Sequence, residues 1–577
     1  MRMTVIVGID LGTTNSLIAV WEHGRSRLIA NSLGEFLTPS CVSVDEDGSI
    51  LVGKAARERL QTHPHRTAAV FKRYMGSNKT VRLGQRDFRP EELSALVLRS
   101  LKADAEAALG VEISEAVITV PAYFSDAQRK ATRDAGRLAG LKVERLLNEP
   151  TAAALAYGIH QREGETKFLV VDLGGGTFDV SVLDLFEGVM EVRASAGDNL
   201  LGGEDFVQAI VDAFCREHGI ADEWRREPQL AQLLHARAEQ AKRALSVSPQ
   251  TSLQVDFGQQ HYEMMLDEVR LESICAPLLA RLRAPVERAL GDAAIPLDEL
   301  DSVVLAGGAT RMPIVRKMIA RMFGRFPAID LNPDEVVALG AAVQAGLKSR
   351  DQALKEVVMT DVAPYSMGVE IVTWLGDGNF AGGHMDPVIE RNTAVPVSKV
   401  KRYFPTSPKQ TEVKLNVYQG EARLVRDNIF LGSLSITCEG QPLGEHGIDV
   451  RFTYDANGLL QIEAQERASG KAFNLLIQSA PGLLSESEIA QTLARLAELK
   501  IHPRDQLRYR TLLARAERLY QQLRGETRKW LGLQITLYEQ ELDAQDSDHI
   551  LARTESLTQV LDQLEQQRAI LPPEERT

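Results

Sequence analysis

The sequence predicts an α/β domain made of two similar lobes, then an antiparallel β-sandwich, then a C-terminal helical segment. Three observations carry this. First, Val5-Ile-Val-Gly-Ile-Asp-Leu-Gly-Thr-Thr-Asn-Ser-Leu-Ile-Ala-Val-Trp21 and Lys167-Phe-Leu-Val-Val-Asp-Leu-Gly-Gly-Gly-Thr-Phe-Asp-Val-Ser-Val-Leu-Asp184 share one pattern. In each, an apolar run reaches Asp-Leu-Gly, turns tightly and resumes as a second apolar run, which reads as strand, turn, strand. Second, from Asp361 to Pro481 helical periodicity fades and two-residue alternation takes over. Third, helical spacing returns from Ser485 onward.

The turns are chemically informative. Gly174, Gly175 and Gly176 let backbone N–H groups crowd an anion where any Cβ would collide with it. Asp172 sets a carboxylate beside that anion, where a Mg²⁺ and its waters can sit, and Asp10-Leu11-Gly12 repeats the arrangement. Two lobes thus offer two phosphate hairpins to one nucleotide. No Gly-Lys-Ser/Thr closes either loop and β-branched residues follow in place of a helix, so this is no Walker A site. A lone Asp-Leu-Gly is an ordinary turn; a matched pair flanked by strands is not.

Length and composition set the frame. A chain of 577 residues exceeds one core and implies three or four domains. The net charge of −13, without a Lys/Arg-rich block, argues against a nucleic-acid partner. Cys41, Cys215, Cys275 and Cys438 form no C-x-x-C pair and read as buried hydrophobes in a reducing cytosol. No secretory signal precedes Val5 and no uncharged run approaches the roughly 20 residues of a membrane helix. The expectation is a cytoplasmic protein with no membrane partner.

In order, the first lobe covers residues 1–165. Val42 to Val52 alternates around an acidic turn and predicts a hairpin. Pro90 to Leu109 carries one apolar stripe ended by Gly110, a helix. Ala116 to Ala122 is a buried strand, Ser125 caps a helix reaching Gly140, and a short strand lies near Val143 to Leu147. A helix of small residues, Ala152 to Tyr157, suits close packing on the neighbouring lobe. The second lobe covers residues 166–350, with helices near Glu204 to His218 and Gln229 to Leu245, a strand breaking at Gly307-Gly308, and a last helix from Val336 to Leu347. A strand ending in two glycines can pass close to a ligand, and the helix behind it favours negative charge. Residues 351–361 look like a charged hinge and linker, 362–482 the sandwich, 483–577 the helical end. Ser485 with Glu488 forms a capping box for the first of these helices.

Gly8-Ile-Asp-Leu-Gly-Thr-Thr-Asn-Ser16, Val120-Pro-Ala-Tyr-Phe124, Asn148-Glu-Pro-Thr-Ala-Ala-Ala154, Asp172 to Asp179, Gly202-Gly-Glu-Asp-Phe206 and Gly307 to Pro313 together resemble the signatures of the Hsp70 chaperones (DnaK-type), in order over almost the whole chain. Ser16-Leu-Ile-Ala-Val-Trp21, Phe71-Lys-Arg73, Met75-Gly-Ser77 and Asp361-Val-Ala-Pro-Tyr-Ser366 are most similar to the specialised bacterial HscC branch. The resemblance implies an actin-like (duplicated ribonuclease H-like) ATPase domain, a linker, a peptide-binding β-sandwich and a helical lid, here shortened. It implies ATP and ADP as ligands, with Mg²⁺ and room for K⁺.

By that resemblance Gly12, Thr13, Thr14, Asn15, Gly174, Gly175, Gly176 and Thr177 hold the phosphates, near Gly203. Asp10 and Asp172 hold the metal mostly through water, Lys72 sits beside the γ-phosphate and the attacking water, and Glu149 orders that water. Adenosine lies between Glu239, Lys242, Arg243 and Ser246, which share one helical face, and Gly307, Gly308, Ala309, Arg311 and Asp334. Taken alone, Glu239 with Lys242 and Arg243 is a solvated helix face, Lys72 one lysine among many, and Asp334 a helix cap.

The implied peptide site falls on Val369, Ile371, Val372, Phe404 (or Tyr403), Val413 and Leu415, for each of which sandwich core is the plain alternative. Pro121 and Arg129 match the family's switch residues, and Asp361 the linker end that couples the domains. The implied partners are unfolded or extended polypeptides and a J-domain co-chaperone, with the protein itself a monomer. Several departures bear on this. The linker Val357-Val-Met-Thr360 lacks the family's leucines, so it buries less apolar area and predicts weaker coupling. The segment Ser248 to Val269, where the usual nucleotide exchange factor grips, is short, so dependence on that factor is not expected. Trp374 to His384 is a glycine-rich loop inserted near the presumed peptide mouth. These departures suggest a narrowed client range. Two other functions fit an actin-like scaffold, a metabolite kinase and a filament-forming ATPase, but both leave residues 361–577 idle.

Overall fold

Each lobe is built on the same four strands. In the first, β1 (Ile6–Asp10), β2 (Asn15–Glu22) and β3 (Arg25–Ile29) form an antiparallel meander. The short β4 (Thr38–Pro39) adds to β2. Above lie a three-stranded sheet of β5 (Cys41–Val44), β6 (Ile50–Val52) and β7 (Thr67–Ala69), helix α1 (Lys54–Thr62) and the hairpin β8 (Val81–Leu83) and β9 (Arg86–Phe88). After α2 (Pro90–Leu109), β10 (Glu115–Val120) joins β1 in parallel, and β11 (Lys142–Asn148) follows α3 (Asp126–Leu138). α4 (Glu149–Ala156) ends the lobe.

The second lobe repeats this. β12 (Thr166–Leu173), β13 (Phe178–Phe186) and β14 (Val189–Asp198) form the meander. Helices α5 (Gly203–Glu217) and α6 (Pro228–Ala244), the hairpin β15 (Gln250–Phe257) and β16 (Gln260–Asp267), and the long α7 (Glu268–Ala293) lead to β17 (Ser302–Ala306), parallel to β12. α8 (Pro313–Phe323) and α9 (Val336–Lys348) complete it. α9 packs on α4 and on β1 of the first lobe. The approach is backbone to backbone: a Cβ on Gly340 would overlap the Ala152 carbonyl. The small residues of α4 therefore do what their composition predicts. The computed structural model describes residues 5–158, 165–186, 189–221, 227–257, 260–328, 331–349, 354, 358–376, 379–406, 410–437, 447–467, 470–476, 486–497, 507–523, 525–544 and 547–570. Val357, Cys438 and Ser485 lie outside them.

The expected hinge is, from Val358 on, a strand. β18 (Val358–Val362) pairs in parallel with β14, Val189 opposite Val358 through Glu191 opposite Thr360. β19 (Met367–Gly376) and β20 (Asn379–Ile389) precede β21 (Ala394–Val395), which pairs with the far edge of β18. One sheet thus runs from the second lobe into the next domain. β22 (Val397–Tyr403), β23 (Glu412–Gln419), β24 (Ile429–Thr437), β25 (Ile448–Tyr454), β26 (Leu460–Glu466) and β27 (Ala472–Leu476) complete two four-stranded sheets, β20-β19-β23-β24 and β22-β25-β26-β27. Alternating residues such as Val417, Val450, Phe452 and Ile462 fill the space between them, as expected of a sandwich. The insert Trp374–His384 corrects the loop expectation. Its flanks continue the β19–β20 ladder, Thr373 opposite Ala381 and Gly376 opposite Asn379, with register shifts where the glycines cluster.

The helical end departs most from expectation. α10 (Glu486–Ala497), α11 (Leu507–Gln522), α12 (Gly525–Ala544) and α13 (Ser547–Ile570) do not close over the sandwich; they rest on the first lobe. The cause is apolar: Ile489 and Leu496, seven residues apart on one face of α10, enter the first lobe's core. Arg495 pairs with the buried Glu92, and Arg99 donates to the Leu496 carbonyl at 3.1 Å. α11, α12 and α13 form a bundle with its own core around Leu519, Leu531, Tyr538 and Leu561, and α11 lies along α1. Among the described residues no helix is long and apolar enough to cross a membrane.

Candidate functional site

The two hairpins meet across the interlobe cleft. A Cβ on Gly175 would collide with Thr14 Oγ1, and one on Gly176 would come within 2.7 Å of Thr13 Oγ1. Glycine in one loop therefore makes room for threonine in the other. Between and beside them opens a cavity of about 380 Å³. Asp10, Gly12, Thr13, Thr14, Asn15, Lys72, Glu149, Asp172, Gly174, Gly175, Thr177 and Gly203 line its inner part. Glu239, Lys242, Arg243, Ser246, Gly307, Gly308, Ala309, Arg311 and Asp334 line its outer part. Of the predicted nucleotide residues only Gly176 is not on the wall. It sits behind it, where its carbonyl accepts from Arg73 Nε at 3.2 Å.

Local structure explains each placement. β1 and β12 end at the cleft and deliver Asp10 and Asp172 there. Glu149 is the first residue of α4, where the helix dipole favours its charge. α5 begins directly against the second hairpin, with Gly203 N–H donating to Gly174 O and Glu204 N–H to Gly175 O, each at 2.9 Å. On α6, Glu239 accepts from Arg243 at 2.6 Å and pairs with Lys242 at 2.6 Å, so the shared helical face is an ion-paired cluster with Lys242 turned inward to donate to Gly203 O. Opposite it Arg311 pairs with Asp334 at 2.8 Å.

The charge balance of the inner cleft favours a cation. Asp10, Asp172, Asp179 and Glu149 converge, and Lys72, 2.9 Å from Glu149, is the cation paired within the group. Burial, with Glu149 next, lifts the Asp10 carboxyl to about 7. Burial lifts Asp179 to about 7 as well, against the pull of the Tyr123 N–H it accepts at 2.8 Å. Burial, then Glu149 and Asp179, pushes Asp172 well up, and its Oδ2 has no hydrogen-bond partner. A hard divalent cation held partly through water suits such a set. Among the described residues no group of three or more His, Cys, Asp or Glu side chains is arranged to hold a metal ion directly.

Sequence reasoning missed Asp179 and the role of Arg73. Arg73, from the first lobe, donates to Gly176 O and pairs with Asp205 at the start of α5, bolting the lobes together beside the phosphate turn. Its signal was present, in Phe71-Lys-Arg73 and Gly-Gly-Glu-Asp205, as two fragments with nothing local to join them. The apolar lining of the cavity by Leu17, Leu37, Met312 and Val337 was also unread.

The coupling residues form a chain. Arg129 donates to Asn148 Oδ1 at 2.7 Å and to the carbonyls of Ala122 and Phe124, beside the buried Pro121. Asn148 Nδ2 donates to Asp361 Oδ2 at 2.6 Å, and Thr151 donates to the same oxygen. Asn148 immediately precedes Glu149, so the linker carboxylate is one residue from the cleft. The sandwich adds its own contacts: Leu460 N–H donates to Asp126, Leu146 N–H to Asn457, and Arg391 forms a two-point pair with Asp292 at 2.9 Å.

Of the peptide-site candidates, Val369 and Leu415 are enclosed in the sandwich core, at 0% and 4% exposure, which is the plain alternative for those positions. Ile371 and Val413 are partly buried against the core, as is Tyr403. Val372 and Phe404 face solvent at 44% and 48%.

Comparison with known proteins agrees with this geometry. A family model described as Hsp70 protein matches residues 6–82 and 78–571. The chain is similar to proteins named Chaperone protein DnaK from Thermotoga petrophila and Thermotoga maritima. Each is 44% identical over 499 residues, covering 84% of this chain and 82% of the relative. With two facing glycine hairpins, a duplicated meander, a following sandwich and these matches, the chain belongs to the Hsp70 family.

Proposed function

We propose that the cleft hydrolyses ATP with Lys72 and Glu149 holding the attacking water, and that Asp361 reports the state of the cleft to the sandwich. The chain is an ATP-dependent chaperone and an ATPase of the Hsp70 family. Members of the family bind ATP or ADP with a divalent metal, and bind unfolded polypeptides and J-domain co-chaperones. Mg²⁺ is our assignment for the metal, held by Asp10 and Asp172 through water, with K⁺ beside it. What the metal supplies when bound is neutralisation of charge on the phosphates. The hairpin amides of Gly12 to Asn15 and Gly174 to Thr177 grip the phosphates, Lys72 stabilises charge at the terminal phosphoryl, and Glu149 fixes Lys72 Nζ at 2.9 Å. Phosphoryl transfer to water needs little beyond such positioning and charge neutralisation.

The single observation carrying this reading is the fit of Thr13 and Thr14 into the space left by Gly175 and Gly176. The kinase and filament readings are not favoured, since the sandwich and tail dock on the lobes and take part in one structure.

Finer assignments rest on particular residues. Peptide binding is placed on Val372 and Phe404, which are exposed, with Ile371 and Val413 behind them. Val369 and Leu415 would join them only if the sandwich opened. The HscC-like branch, a narrowed client range, independence from the usual exchange factor, a monomeric state, a cytoplasmic location and domain limits of 1–350, 351–361, 362–482 and 483–577 are proposed on the sequence features above. ATP turnover of the intact chain, measured with and without hydrophobic peptides, tests the central claim. Turnover that rises with bound peptide is expected; turnover indifferent to every peptide bound would overturn the coupling.

A further inference from the structure

The seat of the tail lies on both lobes. On the first, Arg518 of α11 donates to Glu58 of α1 at 2.6 Å, and Gln522 Nε2 donates to Gln61 at 2.9 Å. On the second, Arg237 of α6 donates to Gln522 Oε1 at 3.4 Å. The Arg518 guanidinium is ordered from behind as well, by Glu565 of α13 at 2.7 Å, and Glu565 in turn takes Arg515 at 2.6 Å. The bundle therefore presents a preset arginine to the lobe. Leu507 at the start of α11 adds apolar contact against Leu51, Ala55 and Ala56.

This seat walls a second cavity of about 410 Å³, whose lining includes Arg518 and Gln522 together with Thr13, Thr14, Glu239 and Arg243. The last four also line the nucleotide cavity. The tail helix thus spans the vestibule through which the cleft opens between α1 and α6. Parting those helices to free a nucleotide strains the contacts of Gln522 to both lobes at once.

We propose that the helical bundle is a built-in brake on nucleotide exchange, seated across α1 and α6 by Arg518 and Gln522. The proposal rests on the reading of the cleft as a nucleotide site. While the bundle is seated, bound nucleotide is held; when it leaves, the lobes part more easily and exchange speeds up. Any outside factor that opens this cleft from α1 and α6 competes with the bundle for the same face.

The test is the dissociation rate of fluorescently labelled ADP from the full chain, chased with unlabelled ATP in a stopped-flow instrument. Glu58 and Gln61 lie outside the nucleotide cavity, so Glu58→Ala combined with Gln61→Ala removes the seat and leaves the bundle intact. We expect release about five- to tenfold faster, the scale of a few lost polar contacts. Arg518→Gln with Gln522→Ala removes those contacts from the tail side, together with the contact of Arg237 to Gln522 and the pair of Arg518 with Glu565. If both pairs act on one seat, the fourfold variant releases no faster than the tail-side pair alone. Release at the unaltered rate in the lobe-side variant would overturn the brake, as would fully additive effects of the two pairs. Labelled ADP that fails to bind the unaltered chain would overturn the nucleotide reading and the brake with it.

Discussion

The first hairpin reads Asp10-Leu11-Gly12-Thr13-Thr14-Asn15 and the second Asp172-Leu173-Gly174-Gly175-Gly176-Thr177. They share three residues and then diverge, side chains on one side and bare backbone on the other. The divergence is complementary, since Thr13 and Thr14 occupy the space that Cβ atoms at Gly176 and Gly175 would need. Duplication supplied two similar turns; only unlike turns can close on each other. The surroundings diverge too. The first lobe contributes Lys72, Glu149 and Arg73, while the second adds carboxylates at Asp172 and Asp179.

If catalysis belongs to that asymmetry, losing the first lobe's lysine matters most. Lys72→Ala should lower single-turnover ATP hydrolysis by about a hundredfold or more, the scale of one preorganised charge contact, while labelled ADP still binds. Equal loss of binding and hydrolysis would assign Lys72 to ground-state grip instead. Next comes the fit itself. Gly175→Ala should weaken ADP affinity by about tenfold or more, as overpacking against Thr14 forces the turns apart. Thr14→Ala should restore part of that affinity in the double variant and cost little alone. Failure of that rescue, by calorimetric titration, would break the lock between the loops.

A smaller effect is expected at the bolt. Arg73→Ala removes the contacts to Gly176 O and Asp205 and should raise ADP release by about three- to fivefold. A fourth comparison uses one acid from each lobe. Asp10 and Asp179 stand at about 7 in the folded protein against an ordinary value of 3.8. A carboxyl with a raised folded value takes up a proton on folding, so its contribution is most favourable at low pH and is lost as pH rises through about 7. The metal-free, nucleotide-free protein should therefore lose thermal stability from about pH 5 to about pH 7 and level off above it. Mg²⁺ with ADP should remove that slope, because a bound cation favours the ionised carboxylates. Scanning calorimetry at both pH values decides it.

Much of this was legible in the sequence wherever chemistry is local. The hairpins, the helix closed by Gly110, and the alternation of Ile448, Val450 and Phe452 each depend on neighbours a few residues away, and each formed as expected. Lys72 and Glu149 look ordinary where they stand; they meet across 77 residues, and the family resemblance alone joined them. Asp179 follows the turn on a strand read as an apolar run, and nothing local marks it as part of the site, yet it is buried there with both faces of the strand covered. α7 escaped notice because Pro277 and Pro285 interrupt its pattern, although the helix carries both. The resting place of the tail was not legible at all. Ile489 and Leu496 need an apolar surface, and composition cannot say which of two surfaces, nearly 400 residues upstream or next door, receives them.

The docked linker has one more consequence. β18 is hydrogen-bonded on both edges, to β14 and to β21. Val358 to Thr360 pair with β14, and Asp361 and Val362 pair with β21, so one short strand ties the second lobe to the sandwich and its departure breaks both pairings. Once vacated, β14 and β21 each present a row of unsatisfied amides and carbonyls to the surroundings. A freed domain pair therefore invites a foreign extended strand into the gap, and crowding should make the departed form the one that sticks to its neighbours.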